Sequence, residues 1–224
     1  ARELGATRVG LVAPYLPYMR QDTRFRPGEA VTSRLFARQV SAQFDWLATV
    51  DPHLHRYHHL SDIYAIPAAA VRSAAAIARW VTRAVPHPLI VGPDAESEQW
   101  ASEVARHVGC ASIVLAKTRH GDRSVEIDLP AAGAHRGCTP VLIDDIISSA
   151  RTMAVAVRKV RSAWAVDPVC VGVHALFADD AAQVLAEAGA SRVVTCNTVP
   201  HASNAIDVLP ELAASVRVLA ASSP

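Results

Sequence analysis

The densest chemistry in the sequence lies in Val141-Leu142-Ile143-Asp144-Asp145-Ile146-Ile147-Ser148-Ser149-Ala150-Arg151-Thr152. Here an apolar run ends in two adjacent carboxylates and passes through small hydroxyl residues into a helical pattern. Such a run reads as a buried strand, and α/β proteins bind ligands at the C-terminal edge of a parallel sheet. The helix start that follows offers unpaired N–H groups and the positive end of a dipole, which suit a phosphate. The two carboxylates can accept hydrogen bonds from sugar hydroxyls or help hold a hydrated Mg²⁺. Phosphate at one end and a polyol at the other describe a ribose phosphate. The competing reading is that the Asp pair and Ser148 simply cap a helix.

Three further clusters carry charge in useful patterns. A loop with Arg20, Arg24 and Arg26 beside Gln21 and Asp22 can neutralise a triphosphate through forked, charge-assisted hydrogen bonds. Its bland counterpart is a solvated basic loop closed by a salt bridge to Asp22. Apolar runs end at Asp51-Pro52-His53 and at Asp94, and Asp94 or Ser97 could equally cap the next helix. With His55, His58 and His59 close by, His53 admits a transition-metal reading, although Mg²⁺ itself prefers oxygen. Lysine is scarce: 20 of the 22 basic residues are arginine, so Lys117 and Lys159 stand out. On a flexible hairpin, Lys117 and Arg119 could close over a ligand and stabilise charge on a transferred group, or be ordinary turn charges.

The elements that must position these residues alternate along the chain. Arg8–Ala13, Trp46–Asp51, Pro88–Gly92, Ala111–Leu115, Pro140–Asp144, Val169–Leu176 and Arg192–Cys196 are short, apolar and strand-like. Glu29–Phe44, Thr152–Trp164 and Asp179–Ala188 have helical spacing, the last stopping at Gly189. Ala68–Thr82 is Ala-rich with little to break it and reads as a helix, and another is expected near Leu209–Val218. This alternation predicts an α/β fold with largely parallel sheets. Boundaries are expected near Ile66-Pro67 and around Pro200–Asn204.

Composition narrows the class. Of 224 residues, 51% are hydrophobic and 19% charged, enough apolar material for a real core. Lys+Arg number 22 against 21 Asp+Glu, a net charge of +1, which argues against a dedicated nucleic-acid binder. No apolar run reaches the roughly 18–20 residues of a membrane helix. Cys110, Cys138, Cys170 and Cys196 lack metal or disulfide spacing and read as cytosolic thiols, mostly buried. Ala1-Arg2-Glu3-Leu4 resembles no targeting signal and lacks an initiating Met, so the start is expected to be trimmed or incomplete.

The Val141–Thr152 run resembles the phosphoribosyl-pyrophosphate-binding loop of type I phosphoribosyltransferases and ribose-phosphate pyrophosphokinases. It departs from the latter in carrying Arg151 where that family usually has Gly, which permits positive φ. The other motifs resemble the pyrophosphokinase family, in its order, along nearly the whole chain. Tyr18-Met19-Arg20-Gln21-Asp22 is similar to its Tyr-x-Arg-Gln-Asp segment and Asp51-Pro52-His53 to its Asp-x-His signature. Leu89–Ser97 resembles the strand that ends in its metal- and ribose-contacting aspartate, in the archaeal-type pattern. Lys117-Thr118-Arg119 resembles its Lys-x-Arg catalytic loop, and Cys196–His201 with Asn204–Leu209 its closing region.

This resemblance implies an α/β protein of two type I phosphoribosyltransferase-like lobes, each with a mostly parallel sheet flanked by helices, facing each other across a cleft. Residues 1–66, completed by the C-terminal helix 205–224, would form one lobe and residues 67–204 the other. The implied reaction moves the diphosphoryl group of ATP to the C1 hydroxyl of ribose 5-phosphate, with Mg²⁺ as cofactor. Arg20, Gln21, Asp22, Arg24 and His53 would hold ATP, and His53 and Asp94 the metal. Asp144 and Asp145 would hold the ribose, and Ser148, Ser149, Ala150, Arg151 and Thr152 its phosphate. Lys117 and Arg119 would be catalytic. A cytoplasmic homo-oligomer without nucleic-acid or membrane partners is implied. The family also has a leading segment before the motif that begins at Pro14, and trimming rather than natural deletion is the expected reason for its absence. Two alternatives stay open: a regulatory paralogue that binds nucleotide or partner subunits, and a type I phosphoribosyltransferase, which has no use for Lys117-x-Arg119.

Overall fold

Apolar runs too short for stable helices pair into parallel sheets, and the amphipathic stretches between them pack on those sheets. The computed structural model describes the backbone of residues 1–120, 124–128 and 135–222, and side chains outside 116–134. The strands begin with β1 (Gly10–Ala13), β2 (Trp46–Val50), β3 (Ala68–Val71), β4 (Pro88–Gly92) and β5 (Ser112–Val114). They continue with β6 (Ala116–His120), β7 (Ser124–Asp128), β8 (Thr139–Ile147), β9 (Val169–Ala175), β10 (Arg192–Cys196) and β11 (Asn204–Ile206). The helices are α1 (Thr32–Gln43), α2 (Ala74–Ala84), α3 (Glu98–Val108), α4 (Arg151–Trp164), α5 (Ala181–Ala188) and α6 (Leu209–Ala221). The chain divides into two units, residues 1–73 with 208–224, and residues 74–207.

In the first unit β1, β2 and β3 form a parallel sheet in that order. β2 is buried along its length, and α6 packs on β2 and β3. Leu16, Met19, Ala37, Val40, Leu47, Leu60 and Tyr64 form the core. Gly10 lies against the Trp46 indole, where an added Cβ would come within 2.0 Å of a ring carbon. Gly10→Ala is therefore expected to lower stability by about 1–3 kcal/mol through overpacking. A lowered urea midpoint checks this, and an unchanged one would contradict it.

The Ala68–Thr82 run is not one helix. Ala68–Val71 is β3, Ser73 is buried, and α2 begins at Ala74. Alanine has high helix propensity, but the parallel ladder from Leu47↔Ala68 to Val50↔Val71 satisfies this segment's backbone against a buried strand. The break is secured by Asp51, which accepts the Ser73 N–H at 2.8 Å and the Ser73 hydroxyl. Residues 67–73 consequently group with the first unit.

The second unit holds a six-stranded parallel sheet, in the order β11-β10-β9-β8-β4-β5, and a separate antiparallel hairpin of β6 and β7. β9 is buried throughout. Met153, Ala154, Ala156, Val157 and Val160 form the buried face of α4, in one cluster with Leu89, Leu142, Ile147, Cys170 and Leu185. β8 extends past Asp144 to Ile147, so both carboxylates belong to the strand itself. All four cysteines are free thiols, and burial pushes the Cys170 thiol up to about 12. No helix among the described residues is long and apolar enough to cross a membrane.

Candidate functional site

The best-defined site in the second unit is the C-terminal end of β8 and the turn into α4. Asp145 is buried, and Asp144 is half-buried with Oδ1 accepting the Asp145 backbone N–H at 2.9 Å. Burial pushes the Asp144 carboxyl well above the usual carboxylate range, and the negative charges of Asp145 and Asp94 push it further. Three carboxylates thus crowd the ends of adjacent strands β4 and β8.

From Ile147 the chain passes through half-buried Ser148 and exposed Ser149 to Ala150, which adopts φ 58° and ψ 6°. That left-handed conformation costs an L-residue about 1–2 kcal/mol. Arg151, the position where glycine was expected, is the first residue of α4 and has no positive φ. The conformational demand therefore falls on Ala150, and Arg151 does not strain the loop. No side chain caps the start of α4. Capping by Ser148 or the Asp pair is thus not what the structure contains, and the first-turn N–H groups have no side-chain acceptor there. The stretch after β9 braces this turn: the Leu176 N–H donates to Ile147 O at 3.0 Å, and the Ala178 N–H to Ser148 O at 3.1 Å. Thr152 is exposed, and the Arg151 guanidinium meets the Asp180 carboxylate at 2.6 Å.

Asp94 is a cap as well as a charge. Its Oδ1 accepts the N–H groups of Glu96 at 3.1 Å and Ser97 at 3.3 Å, stabilising the turn that precedes α3. Its charge still contributes to raising Asp144. Lys117 and Arg119 lie on β6, paired in register with Ile127 and Val125 of β7. Their side chains, and Gly121, Asp122 and Arg123, lie outside the described residues.

The sequence-predicted residues of the first unit lie on two loops. Tyr18, at φ 66°, turns the chain so that the Gln21 N–H donates to Tyr18 O at 2.9 Å. Arg20, Gln21 and Arg24 are exposed, whereas Asp22 is buried and meets the Arg56 guanidinium at 3.9 Å. Asp22 therefore anchors its loop from within. Arg56 as its partner was not foreseeable, because 34 positions of chain with no periodic relation separate the two. Asp51 is buried at the end of β2, paired with Ser73 and with Arg72 at 3.5 Å. His53 is half-buried, with its ring stacked on His55 at 6.2 Å.

The closing region is structural in its contacts. The Thr198 hydroxyl donates to Val173 O at 2.9 Å, so it accepts from His174 Nδ1, also at 2.9 Å. That fixes the protonated nitrogen of this buried histidine. Asn197 Nδ2 donates to Asp207 at 2.8 Å. Among the described residues, no group of three or more His, Cys, Asp or Glu is arranged to hold a metal. Asp94, Asp144 and Asp145 offer oxygen donors, the type that Mg²⁺ takes while keeping several waters and sharing its coordination with substrate phosphates.

Comparison with known proteins bears on this geometry. The family described as phosphoribosyl transferase domain matches residues 59–211. A ribose-phosphate pyrophosphokinase of Methanopyrus kandleri is 36% identical over 221 residues, spanning 98% of this chain and 75% of that protein. One from Methanobrevibacter smithii is 30% identical over 230 residues, spanning 96% of this chain and 76% of that protein. Among solved structures, the phosphoribosylpyrophosphate synthetase of Mycobacterium smegmatis matches with a TM-score of 0.81 at 26% identity. That match spans 97% of this chain and 73% of that one.

Proposed function

The chain belongs to the ribose-phosphate pyrophosphokinase family, and on that premise we propose that it transfers the diphosphoryl group of ATP to ribose 5-phosphate. The C1 hydroxyl oxygen attacks the β-phosphorus, and the bond from that phosphorus to the α,β-bridging oxygen breaks. AMP leaves with the bridging oxygen, and phosphoribosyl pyrophosphate is formed. The hydroxyl proton passes to the Asp144–Asp145 pair or to solvent; a carboxyl raised by burial is the better base of the available groups.

The observation that carries this reading is the uncapped start of α4, joined by the turn Ser148–Ala150 to a strand that carries two adjacent carboxylates near its C-terminal end. The 5-phosphate takes the N–H groups of the turn at Ser148, Ser149 and Ala150 and of Arg151 and Thr152 at the start of α4, and the ribose hydroxyls donate to Asp144 and Asp145. ATP is held by Arg20, Gln21, Arg24 and His53, with Asp22 anchoring that loop from beneath. Asp94, with Asp144 and Asp145, would supply oxygen to Mg²⁺, which would neutralise the phosphate oxygens of the nucleotide. Lys117 and Arg119 stabilise the charge that spreads over the transferred group. Such a reaction relies on positioning and charge neutralisation rather than a covalent nucleophile. A cytoplasmic homo-oligomer completes the proposal.

The test is AMP release from ATP and Mg²⁺ with and without ribose 5-phosphate. AMP that depends on ribose 5-phosphate, matched one to one by phosphoribosyl pyrophosphate, is expected. Nucleotide binding without any such AMP would favour the non-catalytic paralogue.

A further inference from the structure

Arg151, the first residue of α4, has a side-chain partner 29 positions away. Its guanidinium meets the Asp180 carboxylate at 2.6 Å, with both side chains more than half exposed. Asp180 sits at the N-cap of α5, where an aspartate ordinarily accepts from its own helix's first N–H groups. It makes no such side-chain bond here. Its carboxylate meets Arg151 instead. The Arg151 backbone N–H thus lies in the uncapped turn read above as the 5-phosphate site.

We propose that Asp180 is a positioning residue that holds Arg151 in reserve, and that Arg151 exchanges this carboxylate for the 5-phosphate when ribose 5-phosphate binds. The proposal rests on the reading of the turn before α4 as the 5-phosphate site. A phosphate dianion there offers the guanidinium two parallel acceptors and more charge than a single carboxylate, beside the positive end of α4. The pair being left is solvated, so its attraction is small and exchange is cheap. Asp180 is therefore a competitor of the substrate for one cation, and a carboxylate at this place sets how tightly the phosphate is held.

The experiment is calorimetric titration of the full chain with ribose 5-phosphate, with ribose and with inorganic phosphate, in the wild type, Asp180→Asn, Asp180→Glu, Arg151→Ala and the Arg151→Ala/Asp180→Asn double variant. Asp180→Asn is expected to tighten ribose 5-phosphate and inorganic phosphate by about two- to fivefold, the scale of an exposed ion pair. Ribose is unaffected. Asp180→Glu, which keeps the carboxylate, returns the affinity to the wild-type value. In the Arg151→Ala background, Asp180→Asn changes nothing. Weaker or unchanged phosphate binding in Asp180→Asn would overturn the exchange, as would an equal gain without Arg151, which would make Asp180 a general repulsive charge. A wild type that binds ribose 5-phosphate with any of those results refutes the exchange alone. A wild type that binds neither ribose 5-phosphate nor phosphate refutes the reading of the loop, and the exchange with it.

Discussion

Replacing Lys117 by alanine is expected to lower kcat by about a thousandfold while leaving the affinity for ribose 5-phosphate within about twofold of wild type. Diphosphoryl transfer leaves the protein little covalent chemistry to do, so rate comes from fixed positive charge placed where negative charge develops. Lys117 is one of two lysines in a chain that otherwise uses arginine, and it lies on β6 of a two-stranded hairpin outside both main sheets. In the role proposed for it, the Lys117 ammonium acts on the transferred group and not on the ribose, so its loss is expected to fall on kcat. Single-turnover rates and equilibrium binding measured on the same variant separate the two effects. A variant that loses ribose 5-phosphate affinity in proportion to its rate would place Lys117 in ground-state binding instead.

Asp144→Asn is expected to stabilise the fold and destroy the enzyme. Asp144 is held above the ordinary carboxylate range by burial first, then by Asp145 and Asp94. Its folded-state pKa is raised, so below the unfolded pKa both states bind the proton and the group has no effect. As pH climbs through the raised folded pKa, the unfolded chain has already released the proton that the native state still prefers to keep. Native stability is lost over that window, and the loss persists at neutral pH. An uncharged amide of the same shape removes this penalty, and its Oδ1 can still accept the Asp145 N–H. In Mg²⁺-free buffer at neutral pH the melting temperature should rise by roughly 2–4 °C, the shift that about 1 kcal/mol produces in a chain of this size. The gain should vanish when the melts are repeated below the ordinary carboxylate pKa. kcat/KM should fall by about a hundredfold through the lost hydrogen bonds from sugar hydroxyls to a charged acceptor. A lower melting temperature at neutral pH, or near-normal turnover, would contradict the account.

How far residues announce their places depends on whether the deciding contact is local. The Val141–Thr152 segment was legible because its apolar strand, its carboxylates and its helix start are consecutive, and its geometry follows from that order. Ala68–Val71 was not, since alanine carries no strand signal and only the ladder to β2 makes the segment extended. Asp94 supported two readings, and the structure contains the cap together with a charge effect on Asp144. The glycine of the resembled loop falls at Arg151, but the positive φ is at Ala150, because α4 already begins at Arg151 and the turn precedes it. Arg56 with Asp22, Asp180 with Arg151 and His174 with Thr198 are pairings across loops and strands. No spacing rule along one element reports them.

Both outer phosphates of ATP are expected to move together to C1. This is tested most directly by following label from [β-³²P]ATP and [γ-³²P]ATP, in parallel reactions with ribose 5-phosphate and Mg²⁺. The account predicts that both labels appear in phosphoribosyl pyrophosphate in equal amounts, that the nucleotide product is AMP, and that none of the β-label remains with it. Transfer of the γ-label alone, with ADP as the product, would contradict it.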